Sequence, residues 1–144
     1  MRLQPSRNKS MKNNKNAETV TKVIFNKDVY LGGCVSILVE KNAFEIKVVA
    51  TGHTDNHVNI GTEKQITCQQ WNEFIEFLFN CSIDEWERNY DDTGDVFVFD
   101  GETWSLEVYF NNCEPMKITG CNVYPQNFDQ LLDLFQEPPW SYYE

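Results

Sequence analysis

Trp104, Leu106, Val108 and Phe110 alternate with Ser105, Glu107 and Tyr109, the period of a strand with one buried face. A little further on the period changes. Phe128, Leu131, Leu132 and Phe135 fall at helical spacing on one face. Two periods so close together constrain the chain strongly, because the apolar stripe of such a helix has to be buried against the apolar face of a sheet. Asp100-Gly101 opens the stretch with a turn signal, Asn111-Asn112 breaks the first run, and Met116 to Ile118 starts a second strand. Gly120 and Pro125 punctuate its end, with Pro125 expected near the first position of the helix. Residues 100–135 therefore predict a hairpin followed by an amphipathic helix that covers it.

The rest of the chain repeats these themes. Val20 to Val29 holds the apolar run Val23-Ile24-Phe25 and reads as the first strand. Gly32-Gly33 marks a turn or bulge. Cys34 to Val39 and Phe44 to Ala50 are β-rich runs joined by Glu40-Lys41-Asn42. In the second run Phe44, Ile46, Val48 and Ala50 are expected to face one way, Glu45 and Lys47 the other. Val58 and Ile60 extend the sheet after a loop at 51–56. Thr67 to Asn80 reads as a helix with Thr67 as N-cap and Trp71, Phe74, Ile75 and Leu78 as its apolar stripe. Ile83 to Tyr90 reads as a shorter helical turn carrying Trp86. Asp91-Asp92-Thr93-Gly94-Asp95 is an acidic loop, after which Val96 and Val98 lead back into the sheet.

Residues 65–78 align without a gap to residues 122–135, and in each case a strand pair precedes the helix. Two strand-strand-helix units, or two helices converging on one burial pattern, both account for this. Either way the expected fold is α+β, an antiparallel sheet with two main helices on one face. Its parts are a basic tail at 1–17 that lacks apolar periodicity and reads as disordered, a single domain at 18–137, and an aromatic C-terminal tail at 138–144. Pro138-Pro139 ends the last helix.

Asp100, Gly101, Trp104 and Leu106, then Gly120, Asn122, Tyr124, Pro125, Asn127 and Phe128, form a DG-x-W-x-L strand and a G-x-N-x-YP-x-N-F step into a final helix. This last third of the chain resembles the C-terminal part of small uncharacterised bacterial and phage proteins. The resemblance implies kinship of fold and brings no activity with it.

Charge is the strongest compositional signal. The chain has 22 acidic and 12 basic side chains, a net of −10. Five of the basic ones (Arg2, Arg7, Lys9, Lys12, Lys15) lie in 1–17, so the remainder carries seven against 22, a net of −15. Between Glu73 and Glu107 stand eleven acids and one base, Arg88. Such a body repels nucleic acid and membranes and is drawn to basic surfaces. No apolar run reaches the length of a membrane span, and the basic N-terminus lacks the apolar core of a secretory signal, so a cytoplasmic address is expected. There, the five cysteines are expected to be reduced thiols, mostly small core fillers.

The side chains that could carry chemistry each have a structural alternative. His53, Asp55 and His57 hold both histidines of the chain. In an extended segment they share a face and could converge on zinc or act as acid and base. Thr54-Asp55-Asn56 is also ordinary turn chemistry, and the second ligand pair of a structural zinc site is missing. Asp91, Asp92, Asp95, Asp100 and Glu102 do not follow the EF-hand spacing, and Gly32-Gly33 lacks both phosphate-loop patterns. No hydrolase motif surrounds Cys34. No cofactor is expected.

What remains is recognition. The leading expectation is a non-catalytic interaction module in which Glu73, Glu76, Asp84, Glu85, Glu87, Asp91, Asp92 and Asp95 face a basic protein, with Trp140 and Tyr142 as aromatic anchors. A nuclease whose nucleic-acid groove is occupied by an acidic inhibitor, as immunity and anti-CRISPR proteins do, fits this charge. The alternatives are a metal-dependent or hydrolytic enzyme centred on His53, Asp55 and His57, and a structural homodimer joined at a sheet edge.

Overall fold

A computed structural model describes residues 18–29, 33–53, 59–91 and 101–142. Among the described residues seven strands form one sheet: β1 (Val20–Val29), β2 (Cys34–Lys41), β3 (Ile46–His53), β4 (Asn59–Gln65), β5 (Asn89–Asp91), β6 (Glu102–Phe110) and β7 (Met116–Cys121). Helix α1 (Cys68–Asn80) and a short 3-10 helix (Ile83–Glu85) follow β4, and α2 (Phe128–Gln136) follows β7. The strand order is β4-β3-β2-β1-β6-β7-β5. All pairings are antiparallel except that of β5 with β7. This is the expected α+β design. Among the described residues no helix is long and apolar enough to cross a membrane.

The period-2 patterns set the register. Ala50, Ile37, Phe25, Leu106 and Ile118 lie side by side across five strands, and Val48, Val39, Val23 and Val108 form the adjoining row. All are 3% exposed or less, and both helices add their stripes to this same cluster. The opposite face carries Lys47, Glu40, Lys22 and Tyr109 in one row and Thr51, Ser36, Asn26 and Ser105 in another, none of them buried. One face packed and one solvated is the usual economy of an antiparallel sheet. The sheet also closes on Trp104 through a glycine. A Cβ at Gly120 would lie 2.1 Å from Trp104 Nε1, which donates to Val123 O at 3.0 Å.

Thr67 caps α1 as its sequence predicts. Its hydroxyl accepts from Gln70 N at 3.0 Å, and the Gln70 side chain accepts from Thr67 N at 2.9 Å, a reciprocal capping box. Trp71, Phe74, Ile75, Leu78 and also Phe79 are buried.

Several expectations need correction. Phe44 does not join the inward row. Asn42 Oδ1 accepts from Phe44 N at 2.8 Å and from Glu45 N at 3.0 Å, a side-chain-closed turn that delays the strand to Ile46 and leaves Phe44 96% exposed. The helical turn after Ile83 stops at Glu85, because Trp86 is extended, and Tyr90 lies in β5. Pro125 stands two residues before the α2 N-cap, Asn127, which has φ 71°. On α2 the buried set is Phe128, Leu131, Leu134 and Phe135, with Leu132 half-buried. The aligned segments bury equivalent residues at Trp71 and Phe128, Phe74 and Leu131, and Leu78 and Phe135, but α2 starts one turn later than α1 in that alignment. Only Cys81 among the cysteines is buried; Cys68 and Cys113 are exposed.

The C-terminal segment folds back onto the domain. Tyr142 Oη donates to Phe135 O at 2.6 Å, Lys64 Nζ donates to Ser141 O at 2.8 Å, and Thr62 Oγ1 donates to Tyr142 O. Gln70 Nε2 reaches Pro139 O at 3.3 Å. The prolines stop α2, and the aromatics that follow return to the core.

Candidate functional site

The two helices turn their apolar stripes to the sheet, so everything else on them faces solvent. That outer layer has one sign of charge. Neither α1, the 3-10 helix nor α2 contains a lysine or arginine. Glu73 and Glu76 are exposed on α1, Glu85 on the 3-10 helix and Glu87 just after it; Asp84 is half-exposed. Asp91 lies in β5 by its backbone. Asp92 and Asp95 lie outside the described residues.

Sequence reasoning missed a second set of acids. Asp129 and Asp133 on α2 and Glu137 at its C-cap are four residues apart and all exposed, so they form a ridge along the helix and its end. Like charges at that spacing weaken a helix by about 0.2–0.5 kcal/mol per pair. The last turns of both helices also lack a basic residue, where a cation would favour the helix dipole. Stability of the isolated helix therefore does not account for this ridge. The i, i+4 row was the available signal.

A groove lies on each side of the ridge. Between α2 and the end of α1 is a depression of about 400 Å³, lined by Phe77, Asn80, Asp133, Leu134 and Glu137. Phe77 is 54% exposed. Beyond the N-terminal end of α2 is a second depression of about 590 Å³, lined by Glu102, Tyr124, Asp129, Gln130 and Leu132. Tyr124 is 41% exposed, and its ring lies 4.9 Å from that of Phe128. Each groove thus holds one exposed aromatic beside carboxylates, a combination that receives the stem and cation of an arginine or lysine.

Tyr124 is fixed electrostatically. Its hydroxyl donates to Glu102 Oε1 at 2.7 Å, and Lys27 Nζ holds the other oxygen at 2.9 Å. Partial burial, then the hydrogen bond and charge of Glu102, push the phenol up to about 12. A raised pKa favours the protonated form in the fold, so this contribution is complete below the ordinary value near 10 and is lost as pH rises through about 12. A difference phenolate titration of the native chain against Tyr124→Phe is expected to show the missing tyrosine ionising near 12, and Glu102→Gln should bring it back toward the ordinary range. Cys81 beneath the first groove is pushed up to about 11 by burial, and its Sγ donates to Phe77 O at 3.4 Å. It is a neutral packing group there.

The remaining predicted residues fall differently. Trp140 is 5% exposed, with its ring 5.2 Å from Phe74. That corrects its expected role as an exposed anchor. The indole joins the core cluster of the sheet–helix layer despite the two prolines before it. Tyr142 is half-buried against Trp140. His53 ends β3 opposite Cys34 and Asn59; Asp55 and His57 lie outside the described residues. Among the described residues no group of three or more His, Cys, Asp or Glu is placed to hold a metal ion.

Comparison with models of known families, with curated proteins and with solved structures gave no match.

Proposed function

We propose that the chain is a non-catalytic, acidic protein-interaction module whose helical layer docks on a basic protein surface. The observation that carries this reading is the α2 ridge of Asp129, Asp133 and Glu137, which lies between two grooves that each present an exposed aromatic. Glu73, Glu76, Glu85 and Glu87 extend the same field over α1 and the turn that follows. Such a field steers a cationic partner into encounter. Phe77 and Tyr124 then supply the desolvated contact that charge alone does not. The partner whose chemistry fits best is a protein that grips nucleic acid with lysine and arginine, in particular a nuclease held inhibited, as in the immunity and anti-CRISPR types. Kinship of fold with small bacterial and phage proteins belongs to the same reading.

Affinity capture from cell extracts carrying candidate nucleases tests it. The expected result is a basic, nucleic-acid-binding protein retained at low salt, released at high salt and displaced by duplex DNA or RNA. Capture of no basic protein at low salt would overturn the reading.

The ridge makes a second, separable prediction. Asp133→Lys removes one like-charge pair within α2, with Asp129, and one with the C-cap Glu137, and places a cation in the last turn of α2. It is expected to raise stability by about 0.5–1 kcal/mol while weakening capture. Thermal melts and binding measured on the same preparation check both signs.

A further inference from the structure

We propose a second site, independent of the docking face. The space between the sheet and α2 binds a small apolar molecule that carries one neutral hydrogen-bond acceptor. A cavity of about 290 Å³ lies there. It lies beside the stacked rings of Phe25 and Phe135, with Ile37 and Ala50 on the sheet side and Leu132 and Tyr142 on the other.

The cause is visible in the sheet rows. Ala50 is the smallest member of a row whose other members are Ile37, Phe25, Leu106 and Ile118, and the next row holds Gly52 opposite Val35. Side-chain volume falls away at this end of β3, while α2 sets the height of the layer above it. Phe25, Ile37, Ala50 and Phe135 are between 2% and 4% exposed, so the apolar wall of the pocket belongs to the core, while the exposed Thr51 and Gln136 stand where it opens to solvent. Interiors pack with few voids larger than a water molecule. Small-molecule sites are concave, mostly apolar and carry a small number of polar groups.

The head group follows from Lys27, which borders the cavity. Its ammonium has three donors, and Glu102 takes one at 2.9 Å. The remaining donors serve an acceptor on the guest. Because Glu102 already balances the charge and the chain carries a net of −10, a second carboxylate here is disfavoured. A hydroxyl or carbonyl on an apolar body fits; an acid does not.

The test uses the full chain, with benzyl alcohol and benzoate as probes and methyl NMR as readout. Benzyl alcohol is expected to shift the Ala50 and Leu132 methyl signals saturably, with benzoate about tenfold weaker. Ala50→Leu fills the sheet side and should abolish the saturable shift at Leu132. Leu132→Phe, at a half-buried position that tolerates change, should do the same for Ala50 and decides the matter if Ala50→Leu does not fold. Absence of saturable shifts, or unchanged binding in the filled variants, overturns the site. Equal binding of benzoate overturns the neutral-acceptor assignment.

Discussion

Phe25→Ala is expected to lower the stability of the domain by about 3–5 kcal/mol, a large part of the 5–15 kcal/mol that such domains possess. Phe25 sits at the centre of the sheet, 2% exposed, between Ile37 and Leu106. Its ring stacks on Phe135 with centroids 4.5 Å apart and an interplanar angle of 6°. Phe128 tilts against it at 6.5 Å. Phe135 in turn meets Phe74 edge-on at 5.7 Å, so one ring links the sheet to α2 and through it to α1. Removing that ring leaves a void next to the cavity already present, and neighbouring side chains cannot close both. Urea unfolding should show a lower midpoint at an unchanged slope. A loss below about 1 kcal/mol would mean that the two layers are not joined through Phe25. Phe77→Ala is the matched control, since an exposed position should stay within about 0.5 kcal/mol.

Trp140→Ala is expected to cost a similar amount, about 3–5 kcal/mol, although the residue stands only four positions from the end of the chain. Its ring packs on Phe74 and meets Tyr142 edge-on at 6.3 Å. The substitution should also release the segment that Gln70, Lys64 and Thr62 hold. The indole N–H finds no hydrogen-bond partner among the described residues, so Trp140→Phe removes an unpaired donor along with some area and should cost much less, under about 1.5 kcal/mol. An exposed docking anchor would behave in the opposite way, with stability unchanged on truncation and partner binding lost.

Most of the sheet was legible because its strands are β-branched and alternate cleanly, and α1 because its cap and stripe agree. What the residues did not reveal was set by contacts distant in the chain or by single turns. The Asn42 side chain shortens β3 and exposes Phe44. Burial of Leu134 instead of Leu132 depends on where α1 lies, which no local period encodes. Pairing of Asn89–Asp91 with β7 is parallel and three residues long, too short to leave a pattern. Trp140 follows two prolines and reads locally as a free end; only the arrangement of α1, α2 and β4 gives it a place. The acidic character of the site was legible from composition, which concentrates attention on residues 73–107. Its geometry was not, because Phe77, Tyr124 and the Asp129–Asp133–Glu137 ridge meet only when α2 packs beside α1.

The central claim is that this ridge is what a basic partner recognises. Two baits decide it: the native chain and one with Asp129→Lys, Asp133→Lys and Glu137→Lys together, both shown to be folded, offered the same extract at low salt. The basic nucleic-acid-binding protein retained by the native chain should be missing from the inverted one, with an association rate lowered by about 10- to 1000-fold for the purified pair. Equal retention by both baits would contradict the claim and remove the helical layer from the recognition surface.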